Sequence, residues 1–244
     1  MNETRTDPTQ PTVLHQDRHL LIISKPAGLL SQGDKTGDTA AATWGAAFLG
    51  AQRREAGKEG GNPFIAPAHR LDRPVSGTLV MACTSKAAKR LHRLFLEKTV
   101  HKSYLAIVEG TLESPTRVRL WLSKNRQSNK VDVRTTAAQG FKEAVTLVQP
   151  LHSAGGLTLV AMAPLTGRSH QLRVTAASMG TPIVGDVKYG SRNTLGHFIA
   201  LHACVIRFPH PVGGATLCVR APLPSEWSVR WPELLRSVPD RLKA

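Results

Sequence analysis

The residues best placed to do chemistry lie in the stretch HRLDRPVSG, residues 69–77. Asp72 stands there between Arg70 and Arg73, and the apolar run TLVMAC follows directly. Nearby cations keep a carboxylate ionised, and an ionised Asp can act as a covalent nucleophile or as a base. A salt-bridged surface loop is the competing interpretation, and this stretch alone does not separate the two.

A second group of such residues lies in GRSHQLRV, residues 167–174. Arg168, His170 and Arg173 crowd the first turns of a helix that we expect Ser169 to cap and Gly180 to stop. A helix N-terminus surrounded by cations suits a phosphate or a carboxylate. The alternative is a basic face that is simply solvated.

Tyr104 is one of only two tyrosines and follows a segment that is strongly basic. Residues 86–102 contain six Lys or Arg and a single acid, Glu97. A tyrosine edged by cations suits stacking on a nucleobase beside phosphates. An ordinary strand tyrosine remains the competing interpretation.

The charge balance of the whole chain favours an anionic partner. Its 244 residues carry a formal net charge of +15, which makes nucleic acid the first candidate and an anionic membrane surface the second. The three cysteines form no CxxC pair and are expected to be buried thiols in a reducing compartment. The polar N-terminus resembles no signal peptide, and no apolar run approaches the roughly 20 residues of a membrane helix. We therefore expect a cytoplasmic protein.

Several familiar nucleotide and metal motifs are missing from the sequence. It contains no GxxxxGK[ST], GxGxxG, HExxH or GxSxG pattern. This disfavours an ATP-dependent or zinc-dependent enzyme, and we expect neither a cofactor nor a metal.

The elements that must position these residues indicate an α+β protein. About eight predicted strands come in runs, with only three well-defined helices, which favours a mainly antiparallel sheet over a doubly wound fold. One predicted helix runs from a cap at Asp38 or Thr39 to Gly57, and another from Thr84 or Ser85 to about Lys98. We expect a flexible tail over 1–12, one domain over 13–230 and a C-terminal tail over 231–244.

Together these motifs resemble the RluA-type pseudouridine synthases. HRLDRPVSG is similar to the family's HRLDxx[TS]SG motif, and GRSHQLRVTAASMGTPIVGDVKYG to its GR[ST]HQ[IL]R and GDxxYG block. HLLIISKPAGL, KSYLAIVEG and ALHA match further family motifs in the family's order, so the resemblance runs from about residue 13 to 227. The departures are small: Val75 stands where Thr is usual, and Thr175 where His is common.

The resemblance implies an isomerase that converts uridine in RNA to pseudouridine. It implies a pseudouridine synthase fold, a long mixed and mainly antiparallel sheet flanked by helices and loops, with a central active-site cleft. Asp72 matches the catalytic aspartate, Tyr104 the tyrosine that stacks on the flipped uracil, and Arg173 the arginine that pairs with the aspartate. Because only about twelve residues precede the first motif, we expect a stand-alone catalytic domain without the S4 module of some relatives.

The expected partner is ribosomal or transfer RNA, bound by a monomer. The residues expected to contact RNA are cationic ones near the three motifs: Arg70, Arg73, Lys86, Lys89, Arg90, Arg93, Lys102, Arg168 and His170. Two alternatives compete with this function: a non-catalytic RNA-binding protein that reuses the fold, and a metal-dependent hydrolase that uses His69, Asp72 and His170. A pure binder would gain nothing from a carboxylate that faces phosphates, and the hydrolase lacks a third carboxylate at motif spacing.

Overall fold

The structure, a computed structural model, describes residues 10–33, 37–58, 61–125 and 129–244. Its strands are β1 (Thr12–Gln16), β2 (Leu20–Lys25), β3 (Ala66–Pro67), β4 (Ser76–Ala82), β5 (His101–Glu109), β6 (Thr116–Lys124), β7 (Val131–Arg134), β8 (Lys142–Ala154), β9 (Leu157–Pro164), β10 (Leu201–Pro209) and β11 (Thr216–Arg220). Its helices are α1 (Ala41–Glu55), α2 (Ser85–Leu96), α3 (Gln171–Ser178), α4 (Ser225–Arg230) and α5 (Pro232–Leu235). No helix among these residues is long and apolar enough to cross a membrane.

The chain forms two units. The first consists of Met1–Val100 and Ile206–Pro222, and the second of His101–Val205 and Leu223–Ala244. The segment after residue 230 folds within the second unit as α5 and a further turn, with Leu234, Val238 and Leu242 buried. Residues 1–9 of the predicted tail lie outside the described residues, and the predicted domain limits stay a prediction.

In the first unit, β2 is buried on both faces. β4 pairs antiparallel with β2 and also with β3, while β1 pairs antiparallel with the other edge of β2. Alternation sends Leu20 and Ile22 to one face, where they pack with Leu91 of α2, and Leu21 and Ile23 to the other, where the cluster includes Leu49 of α1. Two helices therefore clamp the sheet that carries the Asp72 loop.

The second unit is an antiparallel sheet with the strand order β5-β9-β8-β6-β7. The β8–β9 hairpin turns at Gly155 and Gly156, both at positive φ, as the sequence predicted. In β6, Leu120 and Leu122 face inward and join a cluster with Val174 of α3. This packing fixes α3 against the sheet.

These elements confirm the predicted α+β class with a mainly antiparallel sheet. The sequence predicted about eight strands, and β1, β3 and β7 are additional; each has five residues or fewer. The expected cap of α1 at Asp38 or Thr39 was wrong, because Ala40 holds the N-cap position and no side chain caps the helix. The cap of α2 was right: the Thr84 hydroxyl accepts a hydrogen bond from the Ala87 amide at 3.2 Å.

Candidate active site

Asp72 lies in the loop between β3 and β4, where its side chain is half-buried. The chain turns directly after it, since the Val75 amide donates to the Asp72 carbonyl oxygen at 3.0 Å. The strand that follows, β4, is buried along its whole length. The loop therefore leads from the carboxylate straight into a rigid part of the core.

The residues on either side of Asp72 are fixed by the segment 25–31. The Ser31 hydroxyl donates to the Leu71 carbonyl at 2.7 Å and accepts from the Leu71 amide at 2.9 Å. The Gly28 amide donates to the Arg73 carbonyl at 2.8 Å, and Arg73 Nε donates back to the Gly28 carbonyl at 3.0 Å. Gly28 has a φ of 89°, which glycine adopts without strain. Asp72 thus sits between two backbone clamps.

Lys25 adds a further contact to the Gly28–Arg73 clamp. Its side chain is completely buried, and Nζ donates to the carbonyl oxygens of Pro26, Leu29 and Arg73 at 2.9, 2.8 and 3.4 Å. Burial lowers the pKa of Lys25 to about 7, although the negative charge of Asp72 acts to raise it. Our sequence reasoning gave Lys25 no role; the only signal was its place in the Lys-Pro-Ala-Gly motif.

The two arginines beside Asp72 differ in what they contact. Arg73 holds the loop, because its guanidinium also forms an ion pair with Asp38 at 2.8 Å. Arg70 is exposed. Of the two roles considered for these residues, loop anchoring describes Arg73 in this structure, and RNA contact stays a prediction for both.

The basic helix α2 presents a cationic surface in the same unit. Lys86, Lys89 and Arg93 are exposed, whereas Arg90 is half-buried and donates from Nη1 to the Pro211 carbonyl at 2.9 Å. Arg93 also lies 3.5 Å from Glu97 of the next turn. Three of the four cations therefore extend into solvent along the helix.

In the second unit, α3 begins differently from the sequence prediction. His170, not Ser169, holds the N-cap position, with a left-handed φ of 51° and no side-chain cap. Gln171 organises the turn instead: its amide donates to the Val145 carbonyl and the Thr146 hydroxyl, both at 3.0 Å. Its Oε1 accepts from the Thr166 hydroxyl at 2.7 Å and the Arg168 amide at 3.1 Å. The buried side chain of Gln171 therefore holds the turn with four hydrogen bonds.

Arg173 is buried in a two-pronged ion pair with Asp186. Nε lies 2.7 Å from Oδ2 and Nη2 lies 2.6 Å from Oδ1, and the two side chains are only 7% and 1% exposed. The Arg173 guanidinium also lies over the Tyr189 ring, 5.0 Å from its centroid. Sequence reasoning missed Asp186 and gave Tyr189 no role, although both belong to the quoted GDVKYG block. Pairing of Arg173 with Asp72 stays a prediction.

His170 shares the same partner as Arg173. Its Nδ1 lies 2.6 Å from the Tyr189 hydroxyl, which also accepts a hydrogen bond from the Val131 amide at 3.1 Å. Tyr189 thus contacts two of the residues that the sequence had singled out in this motif.

Tyr104 lies in β5 opposite Met162 of β9, with 7% of its surface exposed. Lys102, two residues before Tyr104 in β5, is half-buried, and burial lowers its pKa. Its Nζ approaches the turn at Gly167, next to Arg168, whose Nε donates to the Glu143 carbonyl at 2.9 Å. Lys102 and the turn before α3 are therefore neighbours.

His69, one of the residues of the alternative metal-dependent hydrolase, lies next to β4. His69 Nε2 accepts a hydrogen bond from the Val80 amide at 3.2 Å, so that nitrogen is already engaged. In the described part of the chain, no three His, Cys, Asp or Glu side chains are grouped to hold a metal.

The cysteines agree only partly with the expectation of buried thiols. Cys204 is buried and Cys83 is half-buried, but Cys218 is exposed.

Comparison with known proteins gives a consistent result. The family model described as RNA pseudouridylate synthase matches residues 19–178. Ribosomal large subunit pseudouridine synthase C of Pasteurella multocida (strain Pm70) is 35% identical over 231 residues, covering 88% of this chain and 65% of that protein. tRNA pseudouridine synthase C of Vibrio parahaemolyticus (serotype O3:K6, strain RIMD 2210633) is 32% identical over 242 residues, covering 90% of this chain and 93% of that protein.

The solved structures agree with the sequence relatives. Human RNA Pseudouridylate Synthase Domain Containing 4 is 25% identical with a TM-score of 0.69, and 94% of this chain and 92% of that chain are covered. The chain spans 65% of the length of the Pasteurella relative, so only the shared region is compared. The family match covers more than half of the chain and includes the Asp72, Tyr104 and Arg173 motifs. This chain therefore belongs to the RNA pseudouridylate synthase family and has its fold.

Proposed function

We propose that this chain is an isomerase that converts specific uridines in structured RNA to pseudouridine. In that reaction the bond from uracil N1 to the ribose C1′ breaks, the base turns, and a bond from C5 to C1′ forms. The C5 proton leaves and N1 gains a proton, so no atom is gained or lost overall. Family membership supports this activity, and the relatives' names point to ribosomal or transfer RNA as the substrate.

The observation that best supports catalysis is the double clamp around Asp72. Leu71 is tied to Ser31, and Arg73 is tied to Gly28 and Lys25. A group that must meet a reacting carbon or proton benefits from being held in place before the substrate binds. We propose that Asp72 attacks the nucleotide or abstracts a sugar proton.

Tyr104 and Arg173 are proposed to handle the target uridine and Asp72. A base inside a helix cannot react, so the uridine must be flipped at a cost of a few kcal/mol, and stacking on Tyr104 offsets about 1–3 kcal/mol. Only 7% of Tyr104 is exposed, so packing already restricts its side chain, and little freedom is lost when a base stacks on the ring. Arg173 is proposed to orient Asp72 with guanidinium atoms that its pair with Asp186 keeps aligned.

The basic side chains are proposed to bind the RNA backbone. The net charge of +15 supports this, as do the exposed cations of α2. Binding through phosphates weakens steeply as salt rises, because bound counterions are released. The proposed contacts are those predicted from the sequence: Arg70, Arg73, Lys86, Lys89, Arg90, Arg93, Lys102, Arg168 and His170.

The test is to map pseudouridines in ribosomal and transfer RNA from cells with and without this gene. We expect one or more sites to disappear in the deletion strain and to return when the gene is restored. The purified protein should then modify the same RNA in the presence of EDTA, which separates this proposal from a metal-dependent hydrolase. Unchanged maps together with salt-sensitive RNA binding would instead support the non-catalytic binding protein.

A further inference from the structure

A groove opens in the second unit beside the end of β5. Its volume is about 850 Å³, which is within the range of ligand pockets. The residues that line it include Glu109 of β5, the β8–β9 turn at Gly155–Gly156, and Arg230 and Trp231 where α4 meets α5. Tyr104 lies five residues before Glu109 in the same strand, so the Cα atoms of the two residues are roughly 17 Å apart. The groove is therefore separate from the proposed stacking site.

One wall of the groove is the loop after the 3₁₀ turn Val187–Tyr189, and Glu109 holds that loop in place. Its carboxylate accepts from the Ser191 hydroxyl at 2.6 Å, the Asn193 side-chain amide at 2.8 Å and the Arg192 backbone amide at 3.0 Å. Burial acts to raise the pKa of Glu109, but the hydrogen bonds from Ser191 and Asn193 lower it below its ordinary value. The carboxylate is thus used within the loop, whereas the Arg192 side chain is exposed.

A second wall is the corner between α4 and α5. Arg230 is exposed there, and its guanidinium lies 5.9 Å from the centroid of the Phe198 ring. Trp231 is half-buried, and its amide donates to the Trp227 carbonyl at 2.9 Å. The two indole rings are 5.8 Å apart and nearly perpendicular, and Trp227 is buried. Trp231 is therefore held before a ligand binds, which reduces the entropy lost on binding.

The residue types in the groove suit an unpaired segment of nucleic acid. Of the described residues that line it, Glu109 is the one acid, against the two arginines Arg192 and Arg230. A guanidinium group matches the geometry of a phosphate, and an indole offers a flat surface on which a base can stack. Only an unpaired base has a free face for such stacking. The net charge of +15 favours the same kind of partner.

We propose that this groove binds a second segment of the RNA substrate, an unpaired stretch outside the uridine that reacts. Arg192 and Arg230 contact its phosphates, and one of its bases stacks on Trp231. Because the groove is remote from Tyr104, it determines which RNA is bound and how tightly, and it leaves the chemical step unchanged. The inference rests on the proposed function, since the segment belongs to the RNA that is modified.

The main experiment measures binding of a fluorescein-labelled, single-stranded oligouridylate over a range of salt concentrations. The groove variant combines Arg192→Gln with Arg230→Gln. The matched control combines Arg117→Gln with Arg236→Gln, which removes two exposed arginines of the same unit outside the groove.

We expect the groove variant to bind about tenfold more weakly, and its slope of log affinity against log salt to fall by about one to two, because two phosphate contacts are lost. The control should stay close to the parent in both respects. If the two double variants bind equally well, total charge accounts for binding and the proposal is overturned.

Photo-cross-linking tests the stacking contact in the parent protein, so it does not depend on the folding of a variant. An oligouridylate that carries 5-iodouridine couples on irradiation to aromatic rings on which the base stacks. We expect mass spectrometry to find a cross-link at Trp231 in addition to one at Tyr104. Trp231→Leu should remove the first cross-link and weaken binding about tenfold. Absence of a Trp231 cross-link in the parent contradicts the proposal.

Kinetics separate binding from chemistry. With an RNA that the parent modifies, the groove variant should need about ten times more RNA for half of its maximal single-turnover rate, as expected from its weaker binding. Its rate at saturating RNA should equal that of the parent. A lower saturated rate would contradict a role in binding alone.

The two proposals fail in different ways. If the parent forms no pseudouridine in any RNA tested, the proposed function is wrong, while the cross-link still decides whether RNA occupies the groove. If the parent is active and the groove variant binds and reacts like the parent, only the groove proposal is wrong.

Discussion

Asp72 in the first unit and Arg173 in the second are held in place by opposite means. Asp72 is fixed through its neighbours' backbone, by Ser31 on one side and by Gly28 and Lys25 on the other. Arg173 is fixed through its own guanidinium, which is buried against Asp186 and lies over an aromatic ring. Backbone clamps do not depend on which side chain stands between them. A buried ion pair depends on both of its side chains, because removing one partner leaves the other charge without compensation.

This difference predicts that a variant can lose turnover without losing stability in the first unit, but not in the second. Changes to the Asp72 side chain should affect turnover and leave the fold intact. Changes to the Arg173 pair should affect both. The following variants test that contrast, beginning with the largest expected effect.

Asp72→Asn should abolish pseudouridine formation, because an amide is neither a nucleophile nor a base at neutral pH. Its free energy of unfolding should change by about 1 kcal/mol or less, since the clamps act through Leu71 and Arg73 and not through the Asp72 side chain. Turnover can be followed as tritium released from C5-labelled uridine in RNA, and stability by urea unfolding. Turnover at the parent rate would remove Asp72 from the mechanism.

Asp186→Asn should lower the free energy of unfolding by about 3–5 kcal/mol, because it leaves Arg173 buried without its counter-charge. Replacing both partners, with Arg173→Met and Asp186→Leu together, should restore most of that stability but no turnover. Urea unfolding of the three variants measures the first part and the tritium assay the second. A single variant as stable as the parent would show that the pair is not the main support of this region.

Tyr104→Ala should weaken RNA binding by about 1–3 kcal/mol through lost base stacking and should also impair turnover. Tyr104→Phe keeps the stacking surface, so its affinity should match that of the parent while turnover still falls. Affinity and single-turnover rate, measured on the same RNA, test both statements. Identical behaviour of the two variants would contradict a role for the ring.

Lys25→Met should have the smallest effect at neutral pH, because the lost hydrogen bonds and the relieved burial of an amine act in opposite directions. Its pH dependence should be clear, since burial lowers the pKa of Lys25 from 10.5 to about 7 in the folded protein. Between pH 7 and 10.5 the unfolded chain holds a proton that the folded chain has lost, so the parent gains stability as pH rises. Urea unfolding across that range should therefore show that the free energy of unfolding of the parent rises relative to that of the Lys25→Met variant. Parallel curves for the two proteins would mean that the pKa of Lys25 is not lowered by folding.

Much of the fold could be predicted because it depends on local patterns. The alternation of β6 and the Gly155–Gly156 turn appear in the structure as the sequence indicated. The Thr84 cap does too, because a threonine hydroxyl reaches the amide three residues on without help from the rest of the fold. The predicted Ser169 cap was wrong, since the partners that Gln171 finds on β8 are distant in sequence.

The candidate site was only partly predictable for the same reason. The motifs singled out Asp72, Tyr104 and Arg173, and the family match covers all three. They gave no role to Lys25, Asp186 or Tyr189, whose importance depends on burial and on what each side chain meets.

The sequence by itself determined the family, the α+β class and the position of the carboxylate, because these are recorded in residue types and short spacings. The tertiary structure alone decided how each functional side chain is held. Backbone carbonyls clamp the Asp72 loop around a buried lysine, and Asp186 pairs with an arginine thirteen residues before it. Such contacts form only when distant segments pack together and exclude water, which is also what makes a buried charge depend on its partner.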